Sequence, residues 1–272
     1  MENTALKIVV LVKHVPDAQF DRHLTDSSNT TDRLTSILSE LDEYALEAAL
    51  QLVETHGGAD AGHQVIAMTM GPDGAVAAVK KALQIGATEG VHLSDEALAG
   101  SDAAATSLAL SATINHIGDV DLVLTGMAST DGETSLVPAQ LAERLDLPQV
   151  TFASTLELKD DDGGYQIVAR RDGDTHLDNI ESRLPAVVSV TDQINEPRYP
   201  NFKGIMAAKK KPLATLTLSD IGVDAADVGL AGSWTNVESA EPRPPRSHGV
   251  VITDEGDAGK QLVDFLEKQK LL

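Results

Sequence analysis

Four short runs constrain this chain more than anything else in it: LKIVVLV (6–12), HQVIAMTMG (63–71), VDLVLTG (120–126) and LPAVVSV (184–190). Each is dominated by apolar and β-branched residues and lacks a polar face, as expected of strands covered on both sides. Helical patterns separate them. In SELDEYALEAALQLVETHGG (39–58), Leu41, Ala45, Ala48, Ala49 and Leu52 recur at helical spacing; Ser39 and Asp42 are expected to cap the start, and Gly57-Gly58 to end it. PDGAVAAVKKALQIGA (72–87) predicts a helix opened by Asp73 and closed near Gly86, and GVHLSD (90–95) a short strand. SDAAATSLALSATINHIG (101–118) and SLVPAQLAERLDL (135–147) predict two further helices. Strands alternating with helices of this length imply βαβ units and a doubly wound, mostly parallel sheet of the α/β class.

Three segments break the pattern. The polar stretch 13–33 is too long for a simple connection and is expected to be a flap or a functional loop. STLELKDDDGGYQIVARRDGD (154–174) alternates with period two on both sides of Asp-Asp-Gly-Gly, which predicts an inserted β-hairpin with solvated acids at its turn. From Asn195 onward prolines accumulate, and no long helix is expected before AGKQLVDFLEKQK (258–270). The expected organisation is therefore an α/β domain over 1–195, a loop and basic run over 196–211, and a C-terminal arm over 212–272.

The net charge of −21 argues against a general nucleic-acid or anionic-membrane binder. With no cysteine, disulfides, thiolate metal sites and cysteine nucleophiles are excluded. No run of about 18 apolar residues is present to cross a bilayer. The first apolar run is too short for a signal h-region with a cleavage site, so a cytoplasmic protein is expected. The eight histidines are dispersed without an HExxH pattern. Neither a Gly-x-Ser-x-Gly elbow nor a phosphate-binding lysine loop occurs.

One loop has the features of a ligand site. TGMASTDGETSLVPAQ (125–140) leaves the carboxyl end of a strand expected to be buried and enters a helix. Ligands of open α/β sheets bind at that edge, and a helix N-terminus offers free N–H groups to a phosphate. Gly126 and Gly132 permit close backbone approach. Thr130, Thr134 and Ser135 supply hydroxyl donors. Asp131 and Glu133 would repel a phosphate, so Asp131 is expected to bond a hydroxyl, an amide or the loop itself. An ordinary capped connection between strand and helix has the same composition, and both readings stay open on local sequence.

NEPRYPNFKGIMAAKKK (195–211) concentrates five basic residues against one acid in an acidic protein, with Tyr199 and Phe202 among only eight aromatic residues. Interface anchors favour Tyr, Arg and large apolar side chains, so this clustering points to a docking surface rather than a bland loop. Pro197 and Pro200 would limit its freedom before docking. Arg198, Lys203 and Lys209 to Lys211 are expected to set up a local positive field.

Taken together, VVLVKHVPD, MGPDGAVAAVKKALQIGATEGVHL, TGMASTDGETSLVP and LPAVVSVTDQINEPRYPNFKGIMAAKKK resemble the β subunits of electron transfer flavoproteins over nearly the whole chain. The resemblance implies a Rossmann-like fold of the adenine-nucleotide-binding type and a heterodimer with an α subunit. It implies AMP in this subunit, FAD held mainly by the α subunit, and a C-terminal arm embracing that subunit. The family shuttles electrons from acyl-CoA dehydrogenases and related flavoproteins to a membrane ETF:quinone oxidoreductase and performs no bond chemistry of its own.

Positions matching the family's AMP site are Leu11, then Ser39, Glu40, Leu41 and Asp42, then Ala67, Met68, Thr69 and Met70. Gly126 and the segment Thr130, Asp131, Gly132, Glu133, Thr134, Ser135, Leu136 and Val137 complete the set. Several members carry amide and hydroxyl side chains where this chain has Leu136 and Val137, so phosphate binding would rest on backbone N–H groups with Thr134 and Ser135. Some members place aromatic residues near the flavin where this chain has Ala18 and Leu41. The segment holding Glu196, Arg198, Tyr199, Phe202 and Lys203 resembles the family's partner-recognition loop, with Phe202 as the anchor. Three alternatives accompany this reading. The first is an electron-bifurcating β subunit with a second FAD in place of AMP. The second is a free-standing adenine-nucleotide sensor. The third is an adenylate-forming enzyme, which lacks its phosphate loop here because VKHVPD follows the first strand.

Overall fold

The computed structural model describes residues 5–25, 30–161, 164–241, 244–245, 249 and 251–272, with residues 59 and 161 described by backbone only. A nine-stranded sheet organises the first of two compact units, Met1–Glu238. Its strands are β1 (Lys7–Leu11), β4 (Gln64–Met70), β5 (Glu89–Leu93), β6 (Leu122–Gly126), β7 (Gln149–Asp161), β8 (Gly164–Asp172), β9 (Leu177–Arg183), β10 (Ala186–Val190) and β11 (Leu213–Leu216). The order across the sheet is β11-β5-β4-β1-β6-β10-β7-β8-β9. Every pairing from β11 through β7 is parallel, and β8 and β9 continue antiparallel. β2 (His14–Pro16) and β3 (Ser36–Leu38) form a separate two-stranded ribbon.

The apolar runs behave as their composition requires. Ile8 and Val10 on β1 face one side and pack with α1 (Glu40–Thr55) and α2 (Val76–Ile85), whereas Val9 faces the other. The same alternation holds for Val65 and Ala67 against Ile66 and Met68, and for Leu122 and Leu124 against Val123. The second face is covered by α3 (Ala103–Ile117) and α4 (Val137–Leu145) through Leu110, Ile114 and Leu141. Burying one such Leu or Ile side chain is worth about 2 kcal/mol. The doubly wound sheet therefore stands on side chains of both parities, which is why its strands show no polar face.

The hairpin expected over 154–174 is β7 with β8, although its turn at 162–163 lies outside the described residues. β7 is longer than expected because its first residues pair in parallel with β10 before the strand turns into the hairpin. The change of partner coincides with register shifts on both sides and with Phe152 at φ 58°. β9 was not expected. Its side chains are exposed or half-buried throughout, so it carries no apolar signature.

Two expectations are corrected here. Ser39 is the residue before α1, but its hydroxyl makes no capping bond, because the Asp42 N–H it would accept is bonded to the Ser39 carbonyl; the reciprocal half of the box is missing too, since the Ser39 N–H goes to the Lys13 carbonyl and the Asp42 carboxylate to the Lys13 N–H. The C-terminal arm does not begin at 212. Residues 213–216 form the edge strand β11 beside β5, and Leu218 and Val228 close a third apolar cluster with Leu93 and Leu98. Asp102, at the start of α3, then accepts bonds from the Trp234 and Thr235 N–H groups at 2.8 and 2.9 Å, holding the chain to the sheet unit almost as far as Glu238. The second unit, Ser239–Leu272, contains α8 (Ala258–Lys268), with Leu262, Val263 and Phe265 exposed. No helix among the described residues is long and apolar enough to cross a membrane.

Candidate functional site

The chain winds outward from β1 in both directions, to β4 on one side and β6 on the other, so the strand order reverses between β1 and β6. Connections leave opposite faces there and open a crevice at the carboxyl ends of the strands, the place where α/β sheets bind ligands. A cleft of about 710 Å³, counted with its open mouth, lies at that point. Leu11 and Lys13 come from the end of β1, Met68, Thr69 and Met70 from the end of β4, and Thr125 and Gly126 from the end of β6. Thr134, Ser135 and Val137 close it from the loop entering α4, Thr106 and Leu110 from α3, and Asp42 from the first turn of α1.

Sequence reasoning brought nine of these positions together: Leu11, Asp42, Met68, Thr69, Met70, Gly126, Thr134, Ser135 and Val137. Others it named stand aside. Ala67 faces the opposite side of the sheet with α1 and α2. Ser39 is buried, and neither it nor Glu40, Leu41 or Leu136 borders the cleft. Thr130, Asp131, Gly132 and Glu133 form the outer part of the loop, away from the lining. Val12, Lys13, Thr106 and Leu110 were missed, while Thr125, Met127, Ala128, Ser129 and Pro138 fell within the run 125–140 without being named singly. Only the position of Lys13 just after β1 could have flagged it.

Two aspartates divide the electrostatics. Asp42 is 7% exposed, and its carboxylate accepts the Lys13 N–H at 2.8 Å and is bonded also by the Gly126 N–H. It thus clasps the ends of β1 and β6 to α1. Burial pushes its carboxyl up to about 7, against the pull of those two N–H groups and of the Lys13 charge. Asp131 is opposite in behaviour. Burial would raise it, but Lys13 Nζ at 2.8 Å and the Arg33 guanidinium hold it well below the usual carboxylate range. The expectation that Asp131 bonds a hydroxyl, an amide or its own loop is corrected: two cations reach it from the polar stretch 13–33. Arg22, from the same stretch, donates to the Thr130 carbonyl at 2.7 Å. The flap is therefore fastened to the loop by three basic side chains, and β2 at its start pairs with β3 just beyond its end.

Gly126 serves a different approach from the one expected. A Cβ there would lie 2.8 Å from both Asp42 Oδ1 and the Leu41 carbonyl, so the glycine admits α1 rather than a ligand. Gly132 donates its N–H to Ser129 Oγ. The loop's reversal uses Glu133 at φ 50° and Ser135 at φ 53°, left-handed conformations that cost a non-glycine residue roughly 1–2 kcal/mol each. Between them and α4, the N–H groups of Thr134, Ser135 and Leu136 have no hydrogen-bond partner among the described residues. The Thr69 hydroxyl at the cleft's border is likewise buried and has no partner among the described residues. Free N–H groups around a left-handed turn at a helix start form an anion-binding concavity. The rest of the cleft is an apolar slot of Leu11, Met68, Met70, Leu110 and Val137. Such a set of donors suits a phosphate, and such a slot suits a flat ring system. No cluster of metal-binding side chains occurs among the described residues.

The second region singled out in the sequence lies on α1 and α2. Tyr199 and Phe202 are 90% and 80% exposed. Arg198, expected to add to a positive field, is instead drawn into an ion-pair network with Glu47 and Glu54 of α1, at 2.7 and 2.6 Å. Its hydrogen bonds hold the Glu54 carboxyl below its ordinary value. Lys211 is also spent internally, donating to the Leu83 and Ala87 carbonyls where α2 ends. Lys203, Lys209 and Lys210 remain for the surface.

Fold and cleft together define a doubly wound, Rossmann-like α/β protein with a cleft at the switch between β1 and β6. Comparison with known proteins narrows the class. Residues 30–221 match the model of the electron transfer flavoprotein domain. The chain is 44% identical over 267 residues to electron transfer flavoprotein subunit beta of Mycobacterium leprae, covering 97% of this chain and 99% of that one. It is 34% identical to the same subunit of Thermoanaerobacterium thermosaccharolyticum, over 98% of this chain and all of that one. It is 35% identical to the caffeyl-CoA reductase-Etf complex subunit CarD of Acetobacterium woodii, over 91% and 92% of the two chains. The chain belongs to the electron transfer flavoprotein family, among its β subunits.

Proposed function

We propose that this chain is the β partner of a heterodimeric electron carrier. It pairs with an α subunit that holds most of an FAD, receives electrons from acyl-CoA dehydrogenases and related flavoproteins, and passes them to a membrane ETF:quinone oxidoreductase. The FAD supplies the electron chemistry when bound. This chain supplies a scaffold, a nucleotide site and a docking surface, and performs no bond-forming catalysis.

The observation that carries the nucleotide half is the pairing of an apolar slot with the N–H groups of Thr134 and Ser135, which border it and have no partner among the described residues. AMP fits it. Those N–H groups and the Thr134 and Ser135 hydroxyls would hold its phosphate, and Leu11, Met68, Met70 and Leu110 would flank its base. Asp131 does not repel the phosphate, since Lys13 and Arg33 neutralise it. The Thr69 hydroxyl, left without a protein partner, is the candidate contact to the base.

The docking half rests on Tyr199 and Phe202, exposed rings in an aromatic-poor chain, with Lys203 beside them to orient acidic partners. The unit Ser239–Leu272, whose helix α8 buries none of its residues, is the arm that pairs with the α subunit. Assembly is tested by co-expression with the α subunit: a chain ending at Glu238 is expected to keep its own secondary structure and to lose the heterodimer. The carrier function is tested by following flavin reduction in the assembled heterodimer with an acyl-CoA dehydrogenase and its substrate. Reduction by the dehydrogenase is expected, and its absence with two or more such enzymes would overturn the reading.

A further inference from the structure

We infer that Arg198 is a positioning residue: it clasps two turns of α1 and so fixes the ring-bearing tip 199–202 before any partner arrives. The inference rests on the docking role proposed for that tip. It assigns the most prominent charge of the segment to the scaffold rather than to the interface.

The clasp is built of complementary parts. The guanidinium donates through Nε to Glu47 Oε2 at 2.7 Å and through Nη2 to Glu47 Oε1 at 2.9 Å. Toward Glu54 it donates through Nη1 at 2.6 Å and through Nη2 at 2.9 Å. Both carboxylates are gripped in two-pronged fashion, the strong geometry for Arg and one a Lys cannot reproduce. The Glu47 side chain is only 5% exposed, and its remaining capacity is filled by Gln51 Nε2 and the Arg198 N–H. Such a buried carboxylate is costly without its cation, so the pairing is held firmly. Glu47 and Glu54 lie seven positions apart, two turns along one face of α1. Asn195 Nδ2 adds a third attachment, at the Tyr44 carbonyl, 3.0 Å away.

Beyond the tip the chain is fixed again. In α5 (Phe202–Ala208), Gly204 abuts α2, where an added Cβ would come within 2.5 Å of the Gln84 carbonyl. Asn201 caps α5 by accepting the Gly204 N–H. The chain is thus pinned to α1 up to Arg198 and to α2 from Gly204, and only a few residues between the pins carry the exposed rings. Pro197 and Pro200 stiffen what remains. A tip ordered in advance loses less entropy on docking, which appears as tighter partner binding without any contact from Arg198 itself.

The test uses the assembled heterodimer with an acyl-CoA dehydrogenase as electron donor. Glu54→Gln opens the exposed half of the clasp without stranding a buried charge, and Arg198→Lys keeps the charge but loses the paired geometry. Both are expected to raise the KM for the heterodimer, by roughly threefold for Glu54→Gln and roughly tenfold for Arg198→Lys. The expected kcat is unchanged, as is reduction by a small chemical reductant. Amide hydrogen exchange over 199–204 should quicken in both. A merely structural role would lower stability and leave KM alone. Phe202→Ala, run in parallel, separates the two levels. If Phe202→Ala leaves KM unchanged, the docking assignment falls, and this inference with it. If Phe202→Ala raises KM while Glu54→Gln and Arg198→Lys do not, the clasp does not position the tip and the inference alone is overturned.

Discussion

The cleft at the heads of β1 and β6 and the tip at 199–202 both lean on α1, one on its first turn and the other on its middle and end. They are built of opposite materials. In the cleft and the outer loop beside it, the conspicuous side chains are spent inside the protein: Asp42 on the N–H groups of Lys13 and Gly126, Asp131 on Lys13 and Arg33. What is left for a phosphate is mostly backbone. At the tip, the backbone is pinned by Arg198 and Gly204, and what is left for a partner is side chains, Tyr199 and Phe202. A site made of backbone answers to changes in the fold that shapes it. A site made of side chains answers to truncation of the chains themselves.

This contrast is most sharply tested where the cleft depends on packing. Gly126→Val forces atoms into the space held by Asp42 and the Leu41 carbonyl, and it is expected to destabilise the chain by about 3 kcal/mol or more and to release bound nucleotide. Denaturant titration with nucleotide analysis of the purified heterodimer checks it. Normal stability in that variant would break the claim that α1 seats on Gly126.

The next largest effect belongs to the tip. Phe202→Ala is expected to weaken dehydrogenase docking by about 2 kcal/mol, close to thirtyfold, with FAD content and assembly intact. Steady-state kinetics at limiting heterodimer concentration measures it. A loss of assembly instead would place Phe202 at the subunit contact and erase the distinction between the regions.

A third effect lies in pH dependence. Because Asp42 is raised to about 7, the folded chain holds a proton there that the unfolded chain releases near pH 4. Its contribution is complete below that lower value and is lost as pH rises towards about 7. Asp131, held low, acts in the reverse sense, its stabilisation fading only as pH falls into the acid range. Asp42→Asn should therefore flatten the decline in stability between about pH 4 and 7 relative to the unsubstituted chain. An unchanged slope would mean that Asp42 is not buried as described.

The smallest effect is expected at the loop hydroxyls. Ser135→Ala should lower nucleotide affinity by about 1 kcal/mol or less, since the N–H groups remain. A complete loss of nucleotide would show that side chains, not backbone, make the site.

The sheet was legible in the sequence because β1, β4, β6 and β10 are buried on both faces and so are written almost wholly in apolar residues. β9 and β11 were not, since edge strands with exposed side chains carry no such mark. The loop into α4 was legible as a site through its position after a strand, but the duties of its residues were not. Asp131 meets Arg33 across 98 positions, and Arg198 meets Glu47 across 151, and no local pattern encodes pairings of that span. For the same reason Arg198 and Lys211 looked like surface charge, although the fold turns both inward.

The central claim is that the cleft of this β subunit holds an adenine nucleotide apart from the electron-carrying FAD. Denaturing the purified heterodimer and counting the released nucleotides tests it most directly. One AMP and one FAD per heterodimer is the predicted result. Two FAD, or FAD with no second nucleotide, would contradict it.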